Sequence, residues 1–444
     1  MHLKLPAAPL RHEHDAAILR LAVPAFGALV AEPLFLLADS AIVGHLGTAQ
    51  LAGLAVASTV LQTGVSLCIF LAYGTTAAVA RSLGAGDRAA ALRLGVDGLW
   101  LAALLGAVLA LAGFAAADAM VGWFGPPPDA QGHAVTYLRV SMAGLPAMLG
   151  VFAMTGLLRG LQDTKTPLYV AVAANLANVA MNYTFVYGLD MGIGGAALGT
   201  VLAQWASVLA YVAVVQRGLR EDGVALGLSL PGVMRSFRAS APLFVRNVSM
   251  RIVVLLAAVV AASFGSVELA AHQVAFAIYT TTALGMDAIA IAGQALVGRY
   301  LGAGDLRGAR SATTRMVELS VLFGLALGLV LFAGRDLISP LFTADPEVRM
   351  ALGSVLIILA VFQPAAGWVF ALDGVLIGAG DARFLAVGAT VSAIVFVPVG
   401  AVVMVADLGL DALWAGVGVW VLTRLALLAW RVRGEAWAVT GATR

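Results

Sequence analysis

The sequence predicts an all-α polytopic membrane protein: twelve transmembrane helices in two six-helix lobes related by a parallel internal repeat. Hydrophobic residues make up 61% of the 444 positions and charged residues only 11%, against about 25% charged residues in a typical soluble domain. The apolar runs are continuous, as in 355–372, whereas barrel strands alternate apolar and polar residues. A soluble enzyme could not bury this much apolar surface, and a disordered chain is far more polar.

Twelve membrane-spanning helices follow from the spacing of charged residues and Gly/Pro clusters, since one span needs about 20 apolar residues. The predicted spans 1 to 12 are 17–38, 51–77, 92–116, 134–157, 167–188, 193–215, 239–262, 272–297, 314–333, 351–375, 384–405 and 411–430. Most lysines and arginines fall in the tails and in the loops after even-numbered spans, and the opposite side holds Arg139, Arg335 and Arg349. Both termini are therefore expected in the cytoplasm.

The two halves of the chain repeat at a fixed offset of 218 residues. RSLGAGD (81–87) aligns with RYLGAGD (299–305), and Pro24 aligns with Pro242. Each copy contains six spans, an even number, so both copies have the same orientation in the membrane. Parallel repeats imply a pseudo-two-fold axis along the membrane normal and a substrate site near the midplane. Such a pair of lobes is typical of an alternating-access carrier.

The repeat also defines the predicted domains. These are a cytoplasmic N-terminal tail (1–16), an N-lobe with helices 1–6 (17–216), a cytoplasmic linker (217–237), a C-lobe with helices 7–12 (238–432) and a cytoplasmic C-terminal tail (433–444). The HEHD stretch in the first tail lacks the i, i+4 histidine spacing of a zinc protease. We expect it to be solvated.

Polar side chains inside the first six spans are the main functional candidates, because a charge at the bilayer centre costs at least about 2.5 kcal/mol. They are Glu32 and Asp39 in span 1, Asn175, Asn178 and Asn182 in span 5, and Thr200 and Gln204 in span 6. The asparagine spacing of i, i+3, i+7 places all three on one helix face. A carboxylate facing amide and hydroxyl oxygens suits a proton or a hard cation such as Na⁺. The alternative is hydrogen bonding that only joins helices.

The second half carries a different set of polar residues, which could form a substrate site or a secondary polar site. They are Arg246 in span 7, Asp287 in span 8, and Gln363 and Asp373 in span 10. Structural pairing of a span 7 arginine with Asp287 or Asp373 is the alternative to direct coupling. In span 1, Pro24 removes a backbone donor and predicts a kink that could act as a conformational switch.

Several function classes are excluded by absent motifs. The chain has no Walker A, HExxH or GxSxG sequence, so neither ATP hydrolysis nor other enzymatic activity is expected and the energy must come from an ion gradient. A single cysteine rules out an intramolecular disulfide, and the net charge of +2 gives no indication of nucleic-acid binding. No cofactor is expected beyond the coupling ion, H⁺ or Na⁺.

Four longer motifs resemble the multidrug and toxic-compound extrusion (MATE) family over nearly the whole chain. They are LAVPAFGALVAEPLFLLADSAIVGHLG (21–47), the doubled LGAGD, GLLRGLQDTKTP (156–167) and NLANVAMNYTFVYG (175–188). MDAIAIAGQALVGRYLGAGD (286–305) and ALDGVLIGAGD (371–381) resemble its DinF-type branch. The resemblance implies two six-helix lobes forming a V, and export of organic, often cationic, compounds in exchange for H⁺ or Na⁺.

The family's N-lobe cation site carries over onto Asp39, Asn178, Asn182 and Thr200. Many relatives have a second acid where this chain has Asn182, and this departure weakens the case for Na⁺ and favours a proton. The NorM-type branch places an acid in span 7, and none occurs in LFVRNVSM (243–250). A C-lobe cation site of that kind is therefore not expected.

The predicted function is that of a secondary active exporter in which buried Asp39 takes up a proton facing outward and span 1 then shifts about Pro24. The expected partners are small organic substrates and the lipid bilayer, and the protein is expected to be a monomer in the plasma (bacterial inner) membrane. A lipid-linked precursor flippase of related architecture is the nearest alternative, supported by Arg246 and Arg251. A membrane enzyme and a scaffold without transport activity are more distant alternatives.

Overall fold

Every regular element of the computed structural model is helical within residues 12–443, the part of the chain that the structure describes. The helices are α1 (Asp15–Gly44), α2 (Thr48–Cys68), α3 (Phe70–Gly84), α4 (Arg88–Gly122), α5 (Pro128–Met142), α6 (Leu145–Gly160), α7 (Lys165–Tyr183), a π-helical turn (Thr184–Gly188), α8 (Gly192–Glu221), α9 (Leu230–Phe264), α10 (Ser266–Gly302), α11 (Leu306–Phe342), α12 (Pro346–Gly378), α13 (Ala382–Val405) and α14 (Gly409–Arg433).

These helices account for all twelve predicted spans. In the described residues, 10 helical segments are long and apolar enough to cross a membrane, with α2 and α3 counted as one segment, and the α5–α6 pair brings the number to 11. The predicted span 4 is not straight, because α5 and α6 meet at a bend of 52°. The remaining predicted span, span 5, corresponds to α7 and the π turn. It is not among the 11 apolar segments, because three asparagines lower the hydropathy of α7. The prediction of an all-α polytopic membrane protein is confirmed.

The doubled LGAGD motif forms the same turn in both halves. Gly86 and Gly304 have φ angles of 82° and 75°, a left-handed conformation that favours glycine. The following aspartates cap the next helix: Asp87 accepts a hydrogen bond from the Ala90 amide and Asp305 one from the Gly308 amide, both at 2.8 Å. The repeat in sequence therefore encodes a repeated turn and helix start.

The chain divides into two compact units. One is Pro24–Ser240, and the other joins the described residues up to Val23 with those from Ala241 onward. The divisions fall at Pro24 in α1 and two residues before Pro242 in α9, which are repeat-related prolines. The first helix of each half is thus shared between the two units.

The start of α1 is anchored within its unit by an ion pair. Asp15 accepts two hydrogen bonds from Arg315 of α11, at 2.6 and 3.0 Å. His14, just before the helix, is buried with its ring 5.6 Å from that of Tyr300, and this burial lowers the pKa of its imidazole. The expectation that the HEHD stretch is solvated is wrong for His14 and Asp15, which pack against α10 and α11, whereas Glu13 is exposed.

The start of α9 is anchored in the other unit in a related way. Gly232 of α9 packs directly against the carboxylate of Asp97 in α4. Arg93 lies 3.2 Å from the same carboxylate, and the charge of Arg235 also attracts it. Asp97 and Arg315 are 218 residues apart, so equivalent positions of the repeat carry opposite charges.

The segment between the two halves is shorter than the predicted linker. Helix α8 continues to Glu221 and α9 begins at Leu230, so most of 217–237 is helical. The non-helical part is fixed to α4, because the Arg93 guanidinium donates to the backbone carbonyls of Ala225 and Gly227, each at 3.0 Å. These hydrogen bonds satisfy backbone carbonyls that have no partner within a helix, and we attribute the fixed conformation of the segment to them.

Candidate functional site

Four helices bring a buried polar cluster together inside Pro24–Ser240. Asp39 lies near the end of α1 and is only 3% exposed. It faces Tyr137 of α5 and Asn182 of α7, both also buried. Beyond Asn182 the cluster continues through Asn178 to Thr200 of α8. The structure thus joins Asp39, Asn178, Asn182 and Thr200, the four residues that the sequence suggested as one site.

Each carboxylate oxygen of Asp39 accepts a hydrogen bond from a neutral donor. The Tyr137 hydroxyl donates to Oδ2 at 3.0 Å, and the Asn182 amide nitrogen donates to Oδ1 at 2.8 Å. Hydrogen bonds donated to both oxygens favour the ionised form of a carboxylate. The two donors therefore offset part of the cost of burying a charge at Asp39. Sequence reasoning missed Tyr137, since one tyrosine in an apolar span gives no signal.

The amides of α7 extend this network away from Asp39. Asn182 also donates to Asn178 Oδ1 at 3.1 Å, and Asn178 donates to Thr200 Oγ1 at 3.1 Å. Thr200 in turn donates to the backbone carbonyl of Ala196, one turn earlier in α8, at 3.1 Å. The hydrogen bonds therefore all point in one direction along the chain of side chains, from Asn182 towards α8.

Gly199 makes room for Asn182. A Cβ atom at this position would collide with the Asn182 side-chain oxygen and lie 3.1 Å from its backbone nitrogen. That oxygen, Oδ1, is buried and has no hydrogen-bond partner among the described residues. An unpartnered buried acceptor costs about 1–3 kcal/mol. The site therefore contains one acceptor that could take a hydrogen bond if the proton distribution around Asp39 changed.

The groups that contact the Asp39 carboxylate are hydrogen-bond donors, whereas a bound Na⁺ needs acceptors. Sodium prefers oxygen ligands, as other hard cations do, but the atoms nearest the Asp39 carboxylate are the Tyr137 hydroxyl and the Asn182 amide nitrogen. No group of three His, Cys, Asp or Glu side chains suited to a metal occurs in residues 12–443. A cation at this site would need the Asn182 amide to turn over and present Oδ1.

The other first-half candidates lie outside this network. Asn175 donates instead to the backbone carbonyl of Ala31 at 2.8 Å. Gln204 is half-buried, with its amide nitrogen 3.6 Å from the sulfur of Met148. Glu32 is exposed on α1.

In the second half, Asp373 of α12 is held between two arginines. Arg246 of α9 donates to Asp373 Oδ2 at 2.8 Å, and Arg424 of α14 donates to the same oxygen. All three side chains are at most 9% exposed. The pairing of a span 7 arginine with Asp373 is as predicted, whereas Arg424 was missed. Asp373 thus already has two cationic partners.

The remaining second-half candidates are Gln363 and Asp287. Gln363 is buried and donates to Thr282 Oγ1 of α10 at 3.0 Å. Its side-chain oxygen has no hydrogen-bond partner within the described part of the chain. Asp287 is half-buried on α10.

A family model described as MatE matches the chain twice, over residues 24–184 and 242–402. The two matches begin and end 218 residues apart, which is the offset of the internal repeat. Together they cover most of the chain.

The chain is similar to proteins of plants and bacteria over nearly its full length. It is 30% identical to Protein DETOXIFICATION 44, chloroplastic, of Arabidopsis thaliana, covering 94% of this chain and 81% of the relative. It is 29% identical to DNA damage-inducible protein F of Escherichia coli, covering 94% and 92%. A solved structure, the outward-facing conformation of a multidrug resistance MATE family transporter, superposes with a TM-score of 0.85 at 23% identity, covering 96% and 97%.

Proposed function

The chain belongs to the MatE family of transporters, and we propose that it exports small organic compounds, often cationic, in exchange for protons bound at Asp39. Members of this family are transporters and not enzymes. The observation that carries the proposal is the buried carboxylate of Asp39 with a neutral donor on each oxygen. The substrate class is supported by the similarity of the chain to a probable multidrug resistance protein NorM of Thermotoga maritima, which is 27% identical and covers 82% of this chain.

Asp39 is suited to couple a proton to movement of α1. Its two donors come from α5 and α7, whereas the carboxylate itself is on α1. If α1 moved away, an ionised Asp39 would lose both donors in an apolar environment, and a buried charge without hydrogen bonds is very unfavourable. Release of α1 therefore favours protonation, and return of α1 to its donors favours loss of the proton.

Pro24 is the proposed point of this movement. It lies at the division between the two compact units, inside a helix whose first residues belong to one unit and whose later residues belong to the other. Substrate and proton need not contact the same atoms, because each needs only to stabilise a different conformation. The substrate would then be released when protonated α1 adopts its second position.

The coupling ion proposed is H⁺ and not Na⁺, and the proposed number of coupling sites is one. The hydrogen-bond donors on both oxygens of Asp39 support this choice. The buried acid of the second half, Asp373, already binds Arg246 and Arg424. Two guanidinium groups oppose the approach of a further cation to that carboxylate, so we assign it a structural role.

The proposed location is the plasma (inner) membrane of a bacterium, with both termini in the cytoplasm and one chain as the functional unit. The orientation rests on the concentration of lysine and arginine in the tails and alternate loops. No cofactor is proposed apart from the coupling ion. The candidate substrate contacts are the polar residues outside the ion network, Glu32, Gln204 and Gln363.

Ethidium efflux from proteoliposomes tests the proposal when a pH gradient and a Na⁺ gradient are imposed separately. We expect efflux with the pH gradient alone, and none with Asp39→Asn, which keeps the shape of the side chain but cannot ionise. Efflux that requires Na⁺ would contradict proton coupling, and unchanged efflux by Asp39→Asn would contradict the site. If neither gradient drives efflux and a lipid-linked precursor is translocated instead, the flippase alternative is correct.

A further inference from the structure

Helix α7 and the π turn that follows it hold α1 at three points. Asn175 donates to the Ala31 carbonyl at 2.8 Å, Asn182 donates to Asp39 at 2.8 Å, and the Tyr187 hydroxyl donates to the Ile42 carbonyl at 2.6 Å. Both helices run in the same direction along this seam, since the residue numbers rise together. Asp39 is thus fixed from both sides, and its outer anchor is only three residues away.

The Tyr187 hydrogen bond satisfies a carbonyl that α1 itself leaves open. The last four carbonyls of an α-helix have no partner within the helix, and α1 ends at Gly44. The Ala41 carbonyl oxygen lies 2.7 Å from Nδ1 of the His45 ring. The Val43 carbonyl accepts a hydrogen bond from the backbone amide of Leu46 at 3.0 Å. Tyr187 partners the carbonyl between them and so caps the end of α1 from another helix.

The π-helical turn explains how Tyr187 reaches this position. Its defining bond runs from the Leu189 amide to the Thr184 carbonyl, five residues earlier, at 2.9 Å. In a π turn residues five apart come onto one face, whereas in an α-helix residues four apart do. Tyr187 is five residues after Asn182. The turn therefore brings Tyr187 round to the face with which Asn182 contacts α1.

We propose that Tyr187 is a positioning residue for proton coupling, which sets the axial and rotational position of α1 so that Asp39 stays against its donors. The inference rests on the proposed function, because it concerns how Asp39 is held there. Tyr187 does not contact Asp39 and acts through the last turn of α1. Breaking its hydrogen bond is part of the movement that lets Asp39 accept a proton.

The loss of this hydroxyl has a predictable direction. Tyr187→Phe removes one anchor from the conformation in which Asp39 is ionised and hydrogen-bonded, so the released, protonated conformation gains population. The pH midpoint of the conformational change moves upward. One neutral hydrogen bond is worth roughly 1 kcal/mol, and one pH unit corresponds to about 1.4 kcal/mol. The expected shift is therefore at most about 0.7 pH unit.

The matched control is Tyr183→Phe. Tyr183 is one turn earlier, its ring is 5.1 Å from that of Tyr187, and it is 63% exposed. No hydrogen bond of its hydroxyl occurs in the described structure. Both variants remove one hydroxyl from neighbouring tyrosines, and only Tyr187→Phe removes a contact to α1.

The test measures the position of α1 directly in liposomes without substrate. Cys68, which is buried, is replaced by alanine, and the exposed Ser40 beside Asp39 is replaced by cysteine. The rate of maleimide labelling is then followed against pH and divided, at each pH, by the rate for free cysteine, because only the thiolate reacts. This corrected rate is the labelling compared among the variants. We expect the pH midpoint of labelling to be the same in the parent and in Tyr183→Phe. In Tyr187→Phe we expect it to be higher by several tenths of a pH unit.

The outcomes separate this inference from the function on which it rests. Labelling that varies with pH in the parent, loses that variation in Asp39→Asn and has an unchanged midpoint in Tyr187→Phe overturns the role of Tyr187 alone. Labelling whose pH dependence persists in Asp39→Asn contradicts the proposed proton site. An equal shift in both tyrosine variants would also overturn the inference, because the hydrogen bond to Ile42 would not be its cause.

Discussion

Replacing Gly199 with alanine tests the hydrogen-bond network with one added methyl group. The new Cβ would collide with the side-chain oxygen of Asn182 and lie 3.1 Å from its backbone nitrogen. Because the second contact is with backbone, a change of rotamer does not relieve all of the overlap. Asn182 must move, and with it the amide nitrogen that donates to Asp39 at 2.8 Å.

The magnitude follows from the contacts that are lost. A hydrogen bond to a charged group contributes about 1.5–3 kcal/mol, and the ionised form of Asp39 loses one such bond. At about 1.4 kcal/mol per pH unit, the pH midpoint of transport should rise by roughly 1–2 units. The overpacking itself should destabilise the fold by about 1–3 kcal/mol, which is a separate and measurable effect.

The assay is ethidium exchange in proteoliposomes with equal pH on both faces, repeated across a pH series, together with a thermal unfolding curve. Gly194→Ala is the control, since it lies in the same helix and its added Cβ would meet only Thr136 Cγ2, at an ordinary 3.7 Å. An unchanged midpoint in Gly199→Ala, in protein that folds, would refute the view that Asn182 stabilises ionised Asp39.

Two further substitutions test the ion sites of the two halves. Asn182→Asp puts a second carboxylate beside Asp39, and two neighbouring carboxylates both stay ionised only with a cation between them; otherwise one of them is protonated. We expect efflux under a Na⁺ gradient to become stimulated by Na⁺ at alkaline pH, where both acids can lose their protons, and no stimulation there would contradict this reading. Asp373→Asn leaves Arg246 and Arg424 buried without their anion, which costs about 3–5 kcal/mol; the melting temperature should fall markedly while the pH midpoint of exchange stays unchanged, and a shifted midpoint would give Asp373 a part in coupling.

The parts of the site that sequence could predict are those with a helical spacing. Asn178 and Asn182 are four residues apart, so they share a face of α7, and an acid in an apolar span needs partners. Asp39 and Thr200 could be added to that face because the family motif includes them. The structure brings these four residues into one network, and their part in coupling remains a proposal.

Tyr137 and Arg424 could not be predicted in the same way. Tyr137 lies among other polar residues of α5, such as Thr136, Arg139 and Ser141, so nothing in the sequence singles it out as the partner of Asp39. Arg424 is far in sequence from its partner Asp373, and only packing of α12 against α14 reveals the contact. The π turn that contains Tyr187 is equally hidden, because its hydrogen-bond pattern depends on the helices around it.

The opposite charges at Asp97 and Arg315 have a consequence for the history of the chain. If the two halves arose by gene duplication, they began with the same residue at this position and later diverged. A chimera built from two copies of the first half would place an aspartate corresponding to Asp15 against one corresponding to Asp97, and like charges would replace a bonded pair. The halves have therefore become complementary and are no longer interchangeable, although they keep the same turns and the same helix order.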